Sequence, residues 1–188
     1  TKDFLDASIK NVIKTLFEAI LLVILVVFVF LQSLRSTIIP TISIIVSLIG
    51  TFAFLLVAGF SLNMITLFAL VLVIGTVVDD SIVVVEAVQA KFDEGYRSSY
   101  HATVDAMGGI TTALITTTFV FMAVFIPVSF MGGTTGTFYT QFGLTMAVAV
   151  GISLINSLTL SPALCSLIMR PAEEIVPGKK PKFSTRFS

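Results

Sequence analysis

Residues 71–87 read VLVIGTVVDDSIVVVEA. Two adjacent aspartates, Asp79 and Asp80, stand in this aliphatic run with eight uncharged residues before them and five after. The apolar stretch around them, Met64 to Val88, is long enough for a transmembrane helix, which takes about 20 mostly apolar residues to cross a core of about 30 Å. At about 1.5 Å per residue the pair lies ~6 Å past the midpoint of that span. Ionisable groups at such a depth are rare and mark ion or proton pathways.

A magnitude shows what state such a pair adopts. An aspartate near the centre of a span costs about 2.5–3.5 kcal/mol on insertion scales. Neutralising a carboxyl of ordinary pKa at pH 7 costs roughly 4 kcal/mol, at about 1.36 kcal/mol per unit. The two costs are comparable, so an approaching cation or entering water is enough to move the proton on or off. A proton relay requires that poise. Successive helix positions differ by about 100°, so the side chains fan apart and at least one is expected to enter a helix interface. The bland alternative is a pair that only binds helices together or lines a wet notch. Two carboxylates also suit Mg²⁺ or Ca²⁺, but neighbours on one helix chelate poorly without further oxygens, and no metal is assigned.

The rest of the chain has the same character. Of 188 residues, 56% are hydrophobic and 12% charged, against roughly 25% charged in soluble domains. Net charge is zero and Trp is absent, so there is neither a basic face for nucleic acid nor a Trp-based interfacial belt. The single cysteine, Cys165, excludes an internal disulfide and has no companion ligands for zinc. The sequence offers no nucleophile with a base, no metal cluster and no phosphate-cradling glycine loop before a helix, so an enzyme finds little support and no cofactor is expected. The sequence opens at Thr1 without Met or a basic n-region, which reads as a fragment with no cleavable signal.

The expected fold is all-α, a polytopic membrane bundle of about five transmembrane helices. The spans are Leu16–Leu31, Thr41–Val57, Met64–Val88, Ile110–Phe130 and Phe138–Ile168. Residues 1–15 read as an amphipathic juxtamembrane segment, because Phe4, Leu5, Ile9, Val12 and Ile13 recur at helical spacing with Lys2, Asp6, Lys10 and Lys14 between them. Residues 16–170 form the bundle and 171–188 a polar, basic tail. Turn chemistry predicts breaks at LQSLRSTIIP up to Pro40, AGFSLN around Gly59, FDEGYRSS around Gly95 and MGGTTGT from Met131. Pro127 and Pro162 are expected to kink the last two spans. Arg35, Lys91, Arg97, Arg170, Lys179, Lys180, Lys182 and Arg186 fall on alternate sides of the spans so as to collect at one end, which the positive-inside rule assigns to the cytoplasm together with the C-terminal tail. Lys2, Lys10 and Lys14 run against that rule.

Secondary candidates surround the pair. Glu86 follows Asp79 by seven residues on the same helix face, and Glu18 sits at the outer end of the first span with Lys14 one turn before it. Thr116, Thr117 and Thr118 stand where they can hydrogen-bond toward the aspartates or back to their own helix. Thr117 is taken as a supporting residue with Glu18 and Glu86. His101, in SSYHATVD, reads as an exposed loop residue. Gly143, Ala147 and Gly151, four apart, form a small-residue stripe that lets another helix approach.

The stretch FLQSLRSTIIPTISIIVSLIGTFAFLLVAGFSLNMITLFALVLVIGTVVDDSIVVVEAV resembles the hallmark region of the resistance-nodulation-division exporters, in the hydrophobe/amphiphile efflux class similar to AcrB. FIPVSFMGGTTGTFYTQFGLTMAVAVGISLINSLTLSPALC resembles the fifth and sixth spans of the same family. The resemblance covers Asn11 to Pro171. It implies the first-repeat half of a transmembrane domain in which Asp79 and Asp80 carry protons as coupling ion, with no other cofactor. It implies a bacterial inner-membrane, multi-pass location and a proton-driven pump for drugs and amphiphiles, working as a trimer with an adaptor and an outer-membrane channel. The family's first span, its large periplasmic segment and its second repeat lie outside these residues. The lysine that pairs with the aspartates in the family comes from that second repeat. At least one of Asp79 and Asp80 is therefore expected to be protonated at neutral pH in this chain, and the chain is expected to be incompetent for transport alone and to self-associate, as a dimer in lipid, through the small-residue stripe or the aspartates. The competing reading is a non-transport assembly or sensing module of related architecture.

Overall fold

The computed structural model describes residues 2–171. The basic tail expected from 171 onward therefore lies, apart from Pro171, outside the described residues. Among these there are six helices and no strand: α1 Lys2–Leu31, α2 Leu34–Val57, α3 Met64–Asp93, α4 Ser99–Val128, α5 Gly136–Leu158 and α6 Leu160–Ile168. Five stretches, with α5 and α6 counted as one, are long and apolar enough to cross a membrane. The chain is an all-α, polytopic bundle.

α1 runs unbroken through both the amphipathic segment and the first span. Its 30 residues extend about 45 Å at about 1.5 Å each. Only Val27 on it is buried, and Phe4, Ile9, Ile13 and Phe17 are exposed along its first half.

The break expected up to Pro40 is corrected by the structure. The turn consists of Gln32, in the left-handed region at φ 49°, and Ser33, whose hydroxyl accepts from the Ser36 amide as the N-cap of α2. Pro40 lies inside α2 and is buried. It is tolerated near the helix start at the cost of one bond, because a proline has no N–H for the carbonyl four residues back, here that of Ser36.

Asn63 starts α3 with a capping box: its side chain accepts from the amides of Ile65 (2.9 Å) and Thr66 (3.0 Å), and Thr66 Oγ1 accepts from the Asn63 amide (3.0 Å). The other end closes through Gly95, whose φ of 105° suits glycine. The Gly95 amide bonds the Phe92 carbonyl and the Tyr96 amide the Lys91 carbonyl, a Schellman ending.

α4 begins at Ser99, so His101 is an exposed residue of its first turn rather than of a loop. The loop is shorter than expected because α3 stops abruptly at Gly95. Pro127 lies one residue before the end of α4, where it closes the helix instead of kinking a span. The fifth span does break: α5 ends at Leu158, Thr159 leaves helical geometry (φ −120°, ψ −66°) and α6 starts at Leu160. Pro162 explains the position, since its ring clashes with the carbonyl of Leu158 and provides no N–H for it.

α3 is the central helix and packs against all five others. In one half of the bundle Leu70, Val73, Ile74 and Val77 pack with Ile44, Leu48, Met146 and Ala149. In the other, Val84, Val85, Val88 and Phe92 pack with Ile39, Ala102, Ala106 and Cys165. The small-residue stripe is used inside the chain. A Cβ on Gly143 would fall 2.6 Å from Ser129 Oγ and 2.8 Å from the Phe125 carbonyl oxygen, and one on Gly151 2.9 Å from the end of Met122. α4 is thus the helix that approaches the stripe inside the chain.

Candidate functional site

Up to its last turn, the exposed positions of α3 are Met64, Phe68, Leu72, Gly75, Asp79, Val83, Glu86 and Ala90. Their spacing of four, four, three, four, four, three and four traces a single stripe along a helix of 3.6 residues per turn. Asp79 and Glu86 are both on it. Asp80 is turned about 100° away, is half-buried, and accepts a hydrogen bond at Oδ2 from Ser153 Oγ of α5 at 2.8 Å. The adjacent carboxylates therefore face different surroundings: one opens on the uncovered side of the bundle, the other enters the α3–α5 interface. No ion pair to either is found among the described residues.

Thr117 does not join this site. It is exposed and its hydroxyl donates to the Ala113 carbonyl of its own helix. Thr116 likewise donates to Thr112, at 2.8 Å. A threonine hydroxyl on a helix always has a carbonyl one turn back within reach, so the side chains turn home when no partner helix covers them. Glu18 pairs with Lys14 at 3.8 Å, with both side chains largely exposed, and has no part in the aspartate site. Such an exposed pair is worth about 0.3–0.5 kcal/mol.

A polar seam that hydropathy does not reveal continues from Asp80. Asn156 Nδ2 donates to Ser47 Oγ at 2.6 Å and reaches the Ser43 carbonyl at 3.5 Å. Ser43 Oγ and Ser161 Oγ are 3.1 Å apart. Every one of these side chains is buried. The signal was in the spacing: Ser153, Asn156 and Ser157 share one face of α5, and Ser43, Ser47 and Thr51 one face of α2. Ser81 and Ser157 are buried too, and their hydroxyls have no partner among the described residues. Leaving such a group unpaired costs about 1–3 kcal/mol.

The end of the bundle that carries Arg35 and Arg170 is pinned by a surface cluster. Lys91 Nζ lies 2.9 Å from Glu94 and 3.1 Å from Asp105, and the Tyr96 hydroxyl donates to Asp105 at 2.8 Å. That bond holds the Tyr96 phenol above its ordinary pKa, since ionisation would lose it and set two anions together. Ser99 Oγ donates to the Met169 carbonyl at 2.6 Å and ties the start of α4 to the end of α6.

Comparison with known sequences follows the same residues. The profile of the AcrB/AcrD/AcrF family matches residues 1–188. The chain belongs to this family. It is 47% identical over 171 residues to the multidrug export protein AcrF of Escherichia coli (strain K12), covering 91% of this chain and 16% of that protein. It is 45% identical over 192 aligned positions to the multidrug resistance protein MdtF of the same organism, 100% of this chain and 18% of the relative. To the toluene efflux pump membrane transporter TtgE of Pseudomonas putida (strain DOT-T1E) it is 43% identical over 183 residues, 97% of this chain and 18% of the relative. The chain therefore spans less than a fifth of the length of these relatives.

Proposed function

We propose that this chain is the first-repeat half of the membrane domain of a proton-driven multidrug and amphiphile exporter, with Asp79 and Asp80 as its proton relay. Family membership carries the transporter part. The observation that supports the relay is the division of the pair: Asp80 is anchored by Ser153 within the bundle while Asp79 stands on the open stripe one residue away. A proton arriving at the stripe meets Asp79 first, and a carboxyl anchored at Oδ2 keeps its other oxygen to take or give the proton.

In this reading the open stripe of α3 is the face that a second repeat covers, as the internal repeats of transporters pack on one another, and that repeat brings the cation that the aspartates lack among the described residues. The complete protein sits in a bacterial inner membrane, with the Arg35, Lys91, Arg97 and Arg170 end and the tail in the cytoplasm, residues 2–15 of α1 at the outer surface, and trimer partners, an adaptor and an outer-membrane channel around it. It performs transport, not covalent chemistry. By itself the chain exports nothing, and its uncovered α3 stripe promotes self-association.

The test is substitution in the complete transporter. Asp79→Asn and Asp80→Asn are each expected to lower proton-coupled export at least 100-fold with membrane abundance unchanged. Normal export by either variant refutes the relay and favours the non-transport reading of this bundle.

A further inference from the structure

Asp80 stands at the head of a column of polar side chains buried among α2, α3, α5 and α6. Ser153 donates to it at 2.8 Å. About one turn further along α5, Asn156 donates to Ser47 at 2.6 Å, and beyond that Ser43 meets Ser161 at 3.1 Å. These groups satisfy one another. Ser81 and Ser157 do not: at 0% and 1% exposure their hydroxyls have no partner among the described residues. Ser81 follows Asp80 directly, and Ser157 lies one helical turn beyond Ser153 on the same face.

Buried polar groups are seldom left without a partner. Ser81 adjoins Asp80 and Ser157 adjoins Asn156 in the chain, and an internal water, which needs two to four polar neighbours, is the partner that such buried hydroxyls can take. The column also has a direction. On α2, Thr51, Ser47, Ser43 and Ser36 are all buried and descend one face toward Arg35, and Pro40 between the last two withholds the N–H that the Ser36 carbonyl would otherwise engage. An acceptor is thereby left on the same face. A clamp between helices needs only the satisfied pairs; the two unpaired hydroxyls and the released carbonyl are surplus to it.

We propose that Ser81 and Ser157 hold water, and that this water joins the Ser43, Ser47 and Ser161 hydroxyls into a route that carries the proton leaving Asp80 to the Arg35 end of the bundle. The source of the proton rests on the relay reading above. In the transfer the carboxyl O–H bond of Asp80 breaks as a water oxygen takes the proton. Each water or hydroxyl then accepts one proton on a lone pair and passes on its own. One proton emerges at the far end, Asp80 remains as carboxylate, and no electrons change hands. Asn156 positions Ser47 and does not itself transfer a proton.

The experiment uses the complete transporter with Cys165→Ala and any other cysteine replaced. Ag⁺, an ion that follows water, is applied to Ser157→Cys, Ser81→Cys and, as a dry control, Ala149→Cys, which is fully buried in the apolar core. The thiols at 157 and 81 are expected to be blocked and the one at 149 spared. Equal protection at all three overturns the proposal. In parallel, the double variant Ser81→Ala/Ser157→Ala is expected to slow proton-coupled export at least tenfold with its melting temperature unchanged or raised, since neither hydroxyl bonds another group among the described residues. Export within twofold of the parent overturns the route. Asp80→Asn distinguishes the two levels: export lost with Asp80→Asn but kept in the serine double variant removes the route alone, whereas export kept with Asp80→Asn removes the relay, and the silver result is read without reference to it.

Discussion

On its inner side α3 presents Leu70, Val73, Val77, Ser81 and Val84, all buried against neighbouring helices; its outer stripe presents Phe68, Leu72, Gly75, Asp79, Val83 and Glu86 to the surroundings. The sequence is similarly apolar on both, so hydrophobicity alone does not tell them apart. In lipid an exposed valine costs no more than a buried one, because acyl chains are as apolar as the core. What separates the two sides is packing, and Asp79 and Asp80 fall on opposite sides of the boundary between them.

The comparison is tested most severely by deleting equal volume from each side. Leu70→Ala is expected to destabilise the bundle by about 2–5 kcal/mol, measured by denaturant titration in mild detergent, and Leu72→Ala by no more than about 0.5 kcal/mol. The second substitution is instead expected to weaken self-association in sedimentation. A monodisperse monomer of the parent chain over a wide concentration range removes the premise. Equal losses of stability from both variants would mean that the outer stripe is covered.

A smaller effect belongs to the α4–α5 contact at Gly143. Gly143→Ala must push back the Phe125 carbonyl and is expected to cost about 1–3 kcal/mol, read in the same titration. A neutral result would show that α4 moves freely against α5. The division between the aspartates is sharpened by infrared difference spectra of this chain at neutral pH. A protonated-carboxyl band is expected, and it should vanish in Asp79→Asn or in Asp80→Asn, which identifies the side of α3 that holds the proton. Absence of the band in the parent contradicts the expected neutral carboxyl. The smallest changes are expected from Glu18→Gln and Thr117→Ala, both within about 0.5 kcal/mol of the parent and with unaltered export in the complete protein, since neither side chain reaches the pair.

Sequence reading recovered what depends on one dimension. Span number and the fully apolar helices follow from hydropathy and length, and the aspartate pair stands out because charge inside a span is costly. Pro40 marks no boundary because its fixed φ is already helical and only one hydrogen bond is lost; it sits beside buried Ser36 and Thr37, inside a helix already started by the Ser33 cap. Ser153 was missed and Thr117 preferred for one reason. Both can bond to their own backbone, and only the packing of α5 on α3, absent on the outer side of α4, decides which hydroxyl crosses to a neighbour. The seam through Asn156 was legible as a spacing on two helices, but recognising that the two faces meet required the fold.

The connection between α1 and α2 has a mechanical meaning. Only Gln32 and Ser33 separate the two helices, and two residues bridge at most about 7 Å. Any axial stroke of α1 longer than that slack is transmitted to α2, and with it to Ser36, Ser43 and Ser47. α1 buries a single residue of its own, whereas α2 buries Ser36, Ser43 and Ser47 along one face, so the two-residue joint ties the most exposed helix of the bundle to one that is packed inside it.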